Sequence, residues 1–466
     1  MEARLVQVDV AVLGGGPAGY VAAIEASRLG ASVALVEEKD IGGTCLNRGC
    51  IPTKALLKTA EMARSLKKAG EFGFELKPAG VCWEVAQARK ERIVKNLRMG
   101  LEHLLDKNNI QVFRGYGEIR SANQIFVKNG GTENILSCQK MIIATGSAPA
   151  IPDIPGISLP NVLTSDEALN LKEVPRDILI MGAGAIGLEF ATMFKAVGAK
   201  VTVVEVRENI LPQEDKEITT ELLKIMKRQG ISFRLCARVC EIKEDGEGLE
   251  VVIEEKGKEL SLKTGMVLVA IGRKLRINSS DVAALGVKIE NGAILVNDKM
   301  ETSVKGVYAA GDVVGGKLLA HVAFSEGKVA ARNALGWESR VNYLTVPSCV
   351  YTNPEVASVG LNEEQCKSQG IQFNVGRFNF RNNGMALCMG ERDGFAKIII
   401  DKDSHVILGA QILGAGATEM ISELTLAIAM GVRVEVLADM IHPHPTLSEI
   451  IMEACGDTIS MAIHKA

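Results

Sequence analysis

A chain of 466 residues is longer than one hydrophobic core usually organises, so two or more domains are expected. With 47% hydrophobic and 23% charged residues, the composition is that of a packed globular protein, not a disordered or fibrous one. A formal net charge of -3 offers no electrostatic basis for binding nucleic acid or an anionic membrane, which leaves small-molecule chemistry.

The N-terminus shows no basic stretch followed by an apolar one and a cleavage site. The apolar runs are strand-sized and broken by Gly or charge, short of the roughly 20 residues that cross a bilayer. A cytoplasmic protein with no membrane partner is expected. Ten cysteines are too sparse for a disulfide-stapled scaffold, so any disulfide here needs a chemical function.

Residues 8 to 37 predict a strand, a helix and a second strand, with Gly14, Gly16 and Gly19 at the first turn. Such glycines serve a tight turn, close backbone approach to a pyrophosphate, and close helix-on-strand packing. The helix N-terminus supplies free N–H groups to phosphate. The acidic residue that would accept from an adenine ribose is Glu37 or Glu38, and the spacing favours Glu37.

Next comes GGTCLNRGCIPTK at 42 to 54, with Cys45 and Cys50 five positions apart. In a regular helix that spacing holds the Cα atoms roughly 8.6 Å apart, beyond the roughly 7 Å a disulfide tolerates. The backbone must therefore break, and Gly49 with Pro52 places a helix start near Cys50, where the dipole favours a thiolate. A redox pair is the reading; a buried structural thiol pair or half of a zinc site are the alternatives. Zinc is disfavoured because His103 and His321 have no C-x-x-C companions, and no metal site is expected.

Farther along, helices are predicted around 83 to 107 and 214 to 229, and strands at 110 to 128 and 231 to 254. Apolar strands run into Thr145-Gly146, Gly272-Arg273 and Gly311-Asp312. Residues 176 to 205 repeat 8 to 37 at a constant offset of 168, putting Gly182, Gly184, Gly187 and Glu205 on Gly14, Gly16, Gly19 and Glu37. Glu205 argues for NAD, because a 2'-phosphate would be repelled by a carboxylate, although Arg207 keeps NADP open. Past about residue 346 the texture becomes α+β, with strands near 373 to 380, 395 to 401 and 406 to 413. Cys236 and Cys240 lie on a strand-like stretch and are read as redox-inactive. HPHPTLSE at 442 to 449 carries His444 between two prolines. There Thr446 and Glu449 also form a T-x-x-E capping box, and Glu449 can in addition orient the His444 ring.

With GGTCLNRGCIPTK, A-T-G at 144 to 146, AAGD at 309 to 312, LAH at 319 to 321, YTNPEVASVG at 351 to 360 and HPHPTLSE, the chain resembles the pyridine nucleotide-disulfide oxidoreductases over nearly its whole length. Within them it is most similar to the dihydrolipoyl dehydrogenase branch. Two departures stand out: Lys274 to Ile277, where the family often has Pro-Asn, and the residues between His321 and Glu326. The resemblance implies an α/β fold of two Rossmann-like dinucleotide-binding domains plus a C-terminal α+β dimerisation domain. Its divisions would be 1–146 (FAD, with the disulfide), 147–272 (NAD), 273–345 (FAD and central region) and 346–466 (dimerisation).

The resemblance further implies one FAD per subunit, NAD as acceptor, and a lipoylated protein as substrate. A homodimer would share each active site between subunits. Cys45 would be the interchange thiol, Cys50 the thiol facing the flavin, His444 the base and Glu449 its partner. Cofactor-binding positions would be Gly14, Gly16, Gly19, Glu37, Lys54, Gly117, Thr145, Gly146, Asp312, Ala320, Gly182, Gly184, Gly187, Glu189, Glu205, Val239 and Gly272, with Lys54 paired to Glu189. A disulfide reductase using NADPH and a redox-inert nucleotide sensor are the competing functions. Glu205 speaks against the first, and the joint presence of Cys45, Cys50, His444 and Glu449 against the second.

Overall fold

The strand Arg4–Leu13 is fully buried at Val10, Ala11 and Val12, the pattern of a strand covered on both faces, here by helices on the Val10 side and by further strands on the Ala11 side. It lies inside a seven-stranded sheet, paired in parallel with Val33–Glu37 on one side and Thr132–Ile143 on the other. The computed structural model describes residues 4–76, 80–129, 131–246 and 248–465.

A second parallel sheet runs Ser232–Leu235, Lys200–Glu205, Asp177–Met181, Met266–Val269, Val162–Leu163. The sequence repeat extends to its register: Val10 faces Val33 in the first sheet, and Ile178 faces Val201 in the second. The turn glycines also match. Gly14 and Gly182 have φ of 108° and 102°, and a Cβ on them would stand 2.2 Å from the Ala144 carbonyl oxygen and 2.5 Å from that of Ala270. These turns take positive φ under a carbonyl roof, so glycine is required.

The predicted helices form as Trp83–Lys107 and Lys216–Arg228, the latter capped by Asp215, which accepts from the Glu217 N–H at 3.0 Å. The predicted strand region 110 to 128 is three strands, Gln111–Arg114, Tyr116–Ser121 and Gln124–Asn129. Gly115, at φ 136°, interrupts the first two. A three-stranded antiparallel sheet covers Ala237–Asp245, Gly248–Glu255 and Lys258–Thr264.

The chain then returns to the first sheet. Arg273–Leu275 pairs with Ser147–Pro149 as a separate two-stranded ribbon beside it, and Val307–Ala309 joins it in parallel with Thr132–Ile143. The departure at 274 to 277 is therefore ordered structure: Arg276 donates its N–H to the Gly146 carbonyl at 2.9 Å and pairs with Glu38 at 2.9 Å.

The C-terminal region is a five-stranded antiparallel sheet, in the order Ser348–Val350, Glu355–Gly360, Ile407–Gly414, Phe395–Asp401, Phe373–Asn379. Helix Glu449–Thr458 lies directly on its edge, since a Cβ at Gly376 would stand 2.2 Å from the Ala454 carbonyl. Lys397, only 1% exposed, ties this sheet to the second fold through Asp215 at 2.9 Å and Glu217 at 3.1 Å, and also pairs with Glu363 of its own region at 2.7 Å. Removing Lys397 itself would leave the buried Asp215 carboxylate without its cation, a loss on the order of 3–5 kcal/mol. Among the described residues, no helix is long and apolar enough to cross a membrane.

Candidate active site

Helix Pro17–Arg28 starts after Gly16 with no side-chain cap, so its first N–H groups stay available. Just before it, the Glu37 carboxylate accepts from the Gly15 N–H at 2.7 Å and the Lys39 N–H at 2.8 Å. The acid thus braces the glycine turn before it meets any ribose. Gly19 is a packing glycine: a Cβ there would fall 1.7 Å from the Gly14 carbonyl oxygen.

A cavity of about 660 Å³ opens at this turn, a size in the range of small-molecule and cofactor sites. Its lining brings together Gly14, Gly16, Glu37, Cys45, Cys50, Lys54, Gly117, Thr145, Gly146, Glu189, Asp312 and Ala320. Gly19, Gly182, Gly184, Gly187, Glu205, Val239, Gly272, His444 and Glu449 do not line it.

Cys45 sits on the short helix Gly43–Arg48 and Cys50 opens helix Cys50–Lys67. Gly49 breaks the two at φ -141° and ψ -110°, where a side chain would be crowded, since a Cβ would stand 3.0 Å from the Thr44 carbonyl oxygen. Both cysteines are half-buried free thiols in this structure. A hydrogen bond from Cys45 lowers Cys50 to about 7, against burial and with help from the Lys54 charge. The same bond, reinforced by burial, drives Cys45 upward. The thiolate of the pair therefore rests on Cys50, at an uncapped helix N-terminus.

One turn along that helix, Lys54 donates to both oxygens of the buried Glu189 at 2.9 and 3.0 Å. It also stands 4.4 Å from the centre of the Tyr351 ring, and the Tyr351 N–H donates to Glu189 at 3.1 Å. Tyr351 lies in the motif at 351 to 360, but no spacing foretells its place beside Lys54.

The second fold repeats the first. Glu205 accepts from the Ala183 N–H at 2.7 Å and the Arg207 N–H at 2.9 Å, and a Cβ on Gly187 would fall 2.1 Å from the Gly182 carbonyl oxygen. Helix Ala185–Ala196 again lacks a side-chain cap. Val239 turns its side chain into the core of this fold at 5% exposure. Cys240 Sγ is bonded to the Arg238 carbonyl, and Cys236 is exposed. Among the described residues, no group of three or more His, Cys, Asp or Glu is placed to hold a metal ion.

Asp312 is bonded to Ser147, whose hydroxyl also accepts from Arg273 at 2.6 Å. Glu326, 3% exposed, holds the preceding residue: it accepts from the Gly311 N–H and the Tyr343 hydroxyl, both at 2.7 Å. Burial pushes this carboxyl up to about 7. His321 bonds the Pro347 carbonyl at 2.8 Å. An uncapped helix N-terminus, a turn with no space for a Cβ, a braced aspartate and a thiol pair in one cavity fit an FAD.

His444 is exposed and bonds Glu449 Oε1 through Nδ1 at 2.8 Å, while Glu449 Oε2 accepts from the Thr446 N–H at 2.8 Å. Against the pull of burial, the Thr446 N–H and His444 hold the Glu449 carboxyl below its usual range. Only half of the predicted capping box forms: Glu449 accepts the Thr446 N–H, but the Thr446 hydroxyl does not turn back to the helix. The Thr446 hydroxyl turns to the Pro443 carbonyl and Ser448, and the helix starts at Glu449 itself after Ser448. Glu449 so placed orients the imidazole of His444.

A family model described as pyridine nucleotide-disulphide oxidoreductase matches residues 8–327, and the dimerisation-domain model of the same family matches residues 346–455. The chain is 41% identical to a dihydrolipoyl dehydrogenase of Bacillus subtilis over 472 residues, covering 98% of this chain and 99% of that one. It is 40% identical to the dihydrolipoyl dehydrogenase of Chlamydia muridarum, covering 98% of each. Among solved structures, the Cu(II) complex of the HOCl-induced flavoprotein disulfide reductase of Escherichia coli is similar with a TM-score of 0.87 at 30% identity. That similarity covers 97% of this chain and 99% of the other.

Proposed function

The chain belongs to the pyridine nucleotide-disulphide oxidoreductase family, whose members use FAD and a nicotinamide nucleotide, and from that premise we propose that it oxidises protein-bound dihydrolipoyl groups and reduces NAD. The carrying observation is the convergence of Cys45, Cys50, Lys54 and Glu189 on the cavity below the first glycine turn. In this reading the resting enzyme holds a Cys45–Cys50 disulfide. His444 takes the proton of one substrate thiol, and the resulting thiolate attacks Cys45 Sγ. The Cys45–Cys50 bond breaks and its electron pair stays on Cys50, which the pull on its thiol toward about 7 favours. His444 passes its proton to solvent and takes that of the second substrate thiol, whose sulfur attacks the first, breaks the mixed disulfide, frees Cys45 as thiolate and leaves as lipoyl disulfide. FAD, when bound, supplies the two-electron relay between the reduced pair and NAD.

Lys54, tied to Glu189, keeps a fixed positive charge beside Cys50. Gly14, Gly16, Gly19, Glu37, Gly117, Thr145, Gly146, Asp312 and Ala320 would hold FAD. Gly182, Gly184, Gly187, Glu205 and Gly272 would hold NAD, with the Val239 backbone beside them. The divisions 1–146, 147–272, 273–345 and 346–466 follow this assignment, supported by the return of Val307–Ala309 to the first sheet. Because His444 and Glu449 lie outside this chain's cavity, they would serve the disulfide of a second subunit in a homodimer. A lipoyl domain or lipoylated carrier in the cytoplasm is the partner that this chemistry fits.

The test is anaerobic reduction of the purified holoenzyme. Cys45→Ser and Cys50→Ser should each keep FAD but lose reduction by dihydrolipoamide by roughly 10³-fold or more, while NADH still bleaches the flavin. Full dithiol activity in either variant removes the assigned pair.

A further inference from the structure

His442 stands two residues before His444, and the mechanism gives it no task. Its side chain is 2% exposed. Both ring nitrogens face oxygen acceptors: Nδ1 lies 3.1 Å from the Met440 carbonyl and Nε2 lies 3.2 Å from Glu423 Oε1 on helix Ala417–Ala429. A neutral imidazole carries one N–H and would aim a lone pair at one of these oxygens. The imidazolium donates to both.

The surrounding charges agree. Glu423 raises His442, against burial, with further help from the Met440 carbonyl and Glu449. Cys455, on the helix that Glu449 opens, is a neutral thiol driven up by burial and by Glu423. Both His444 and His442 help to keep the Glu449 carboxylate ionised.

We propose that His442 is a positioning residue, held as an imidazolium between Glu423 and the Met440 carbonyl, that fixes the turn carrying His444 and restrains the basicity of the His444–Glu449 pair. The proposal rests on the reading of His444 as the thiol's proton acceptor. A cation here stabilises the Glu449 carboxylate and opposes a second positive charge on His444. More of His444 then stays neutral, and only the neutral ring accepts a thiol proton. Without that cation, His444 holds its proton to higher pH.

The test is stopped-flow reduction of the holoenzyme flavin by dihydrolipoamide from about pH 5.5 to about pH 9. In His442→Gln the acid limb should move up by about 0.5–1 pH unit. At the acid end that is about 3- to 10-fold slower reduction, with wild-type speed at the alkaline end and flavin reduction by NADH unchanged. His442→Lys, which keeps a charge and can donate to both acceptors, should return the limb to its place. Nitrogen NMR of the wild-type protein at about pH 8 should find both His442 ring nitrogens protonated.

A uniform loss of rate at every pH in His442→Gln, an unmoved limb, or a neutral His442 ring overturns the proposal. His444→Gln is the control. It should slow the dithiol half-reaction on the order of 10², and wild-type speed there would overturn the parent reading as well as this one.

Discussion

The two dinucleotide folds are one local design in two surroundings. Each carries an acid that accepts two backbone N–H groups, Gly15 and Lys39 in one copy, Ala183 and Arg207 in the other. The helices that follow differ in bulk. The first is lined with Ala22, Ala23 and Ala26, and its N-terminal turn admits Gly327 of helix Ala320–Ala334, where a Cβ would stand 2.2 Å from the Ala18 carbonyl oxygen. The second buries Phe190, Met193 and Phe194 and packs on the cysteine-bearing helix, with Trp83 6.4 Å from Phe194. At the repeat position where the first copy has Val21, the second has Glu189, which meets Lys54. The glycine code sets the same hydrogen bonds twice. What packs on each helix decides which fold takes part in the thiol chemistry.

The sharpest way to break this comparison is to damage the same turn in each copy. Gly19→Ala should remove FAD binding or folding altogether, because the added Cβ would lie 1.7 Å from the carbonyl oxygen of Gly14, which lines the cavity. Gly187→Ala should leave a yellow protein that dihydrolipoamide still reduces, with NADH affinity down by roughly 10-fold or more. Flavin content and NADH titration distinguish them, and equal flavin loss in both variants would dissolve the division of labour.

A smaller effect is expected at the second acid. Glu205→Ala should narrow the preference for NAD over NADP by about 10-fold, as removal of one like-charge contact would. It should also loosen the turn whose Ala183 and Arg207 N–H groups it holds, read as a lower melting temperature. Wild-type kinetics with equal use of NADPH and NADH would take this role away from Glu205.

The smallest effect concerns a brace that only the first fold has, Glu326 on the Gly311 N–H. Its folded-state pKa of about 7 lies above the usual glutamate value of about 4.3, because of burial. Between those values the folded protein keeps a proton that the unfolded chain releases. The group's stabilising contribution is therefore full below about 4.3 and is lost as pH rises through about 7. Calorimetry from about pH 5 to about pH 8 should show wild type losing about 2–5 °C through this group, and Glu326→Gln should be flatter. An unchanged slope in that variant would mean that Glu326 is ionised throughout.

Local stereochemistry was legible without coordinates. The repeat, the helix break at Gly49, the helices Trp83–Lys107 and Lys216–Arg228 and the strands past residue 373 follow from hydrophobic period and from where glycine or proline interrupts it. Those signals act over a few residues, so one sequence carries them in full. The Lys54–Glu189 pair was implied by resemblance, not by any spacing. Tyr351 on Lys54, Glu326 on Gly311, His442 between Met440 and Glu423 and the inward turn of Val239 had no local sign. The Thr446–Glu449 box carried a sign that was half right, since Glu449 takes the Thr446 N–H while the Thr446 hydroxyl goes to Pro443. Each depends on which distant element packs against the residue, and hence on burial and the charges it meets. Sequence alone therefore determined the two glycine turns and the spacing of the cysteine pair, while only packing decided which charges stand beside the thiols and which oxygens face each histidine nitrogen.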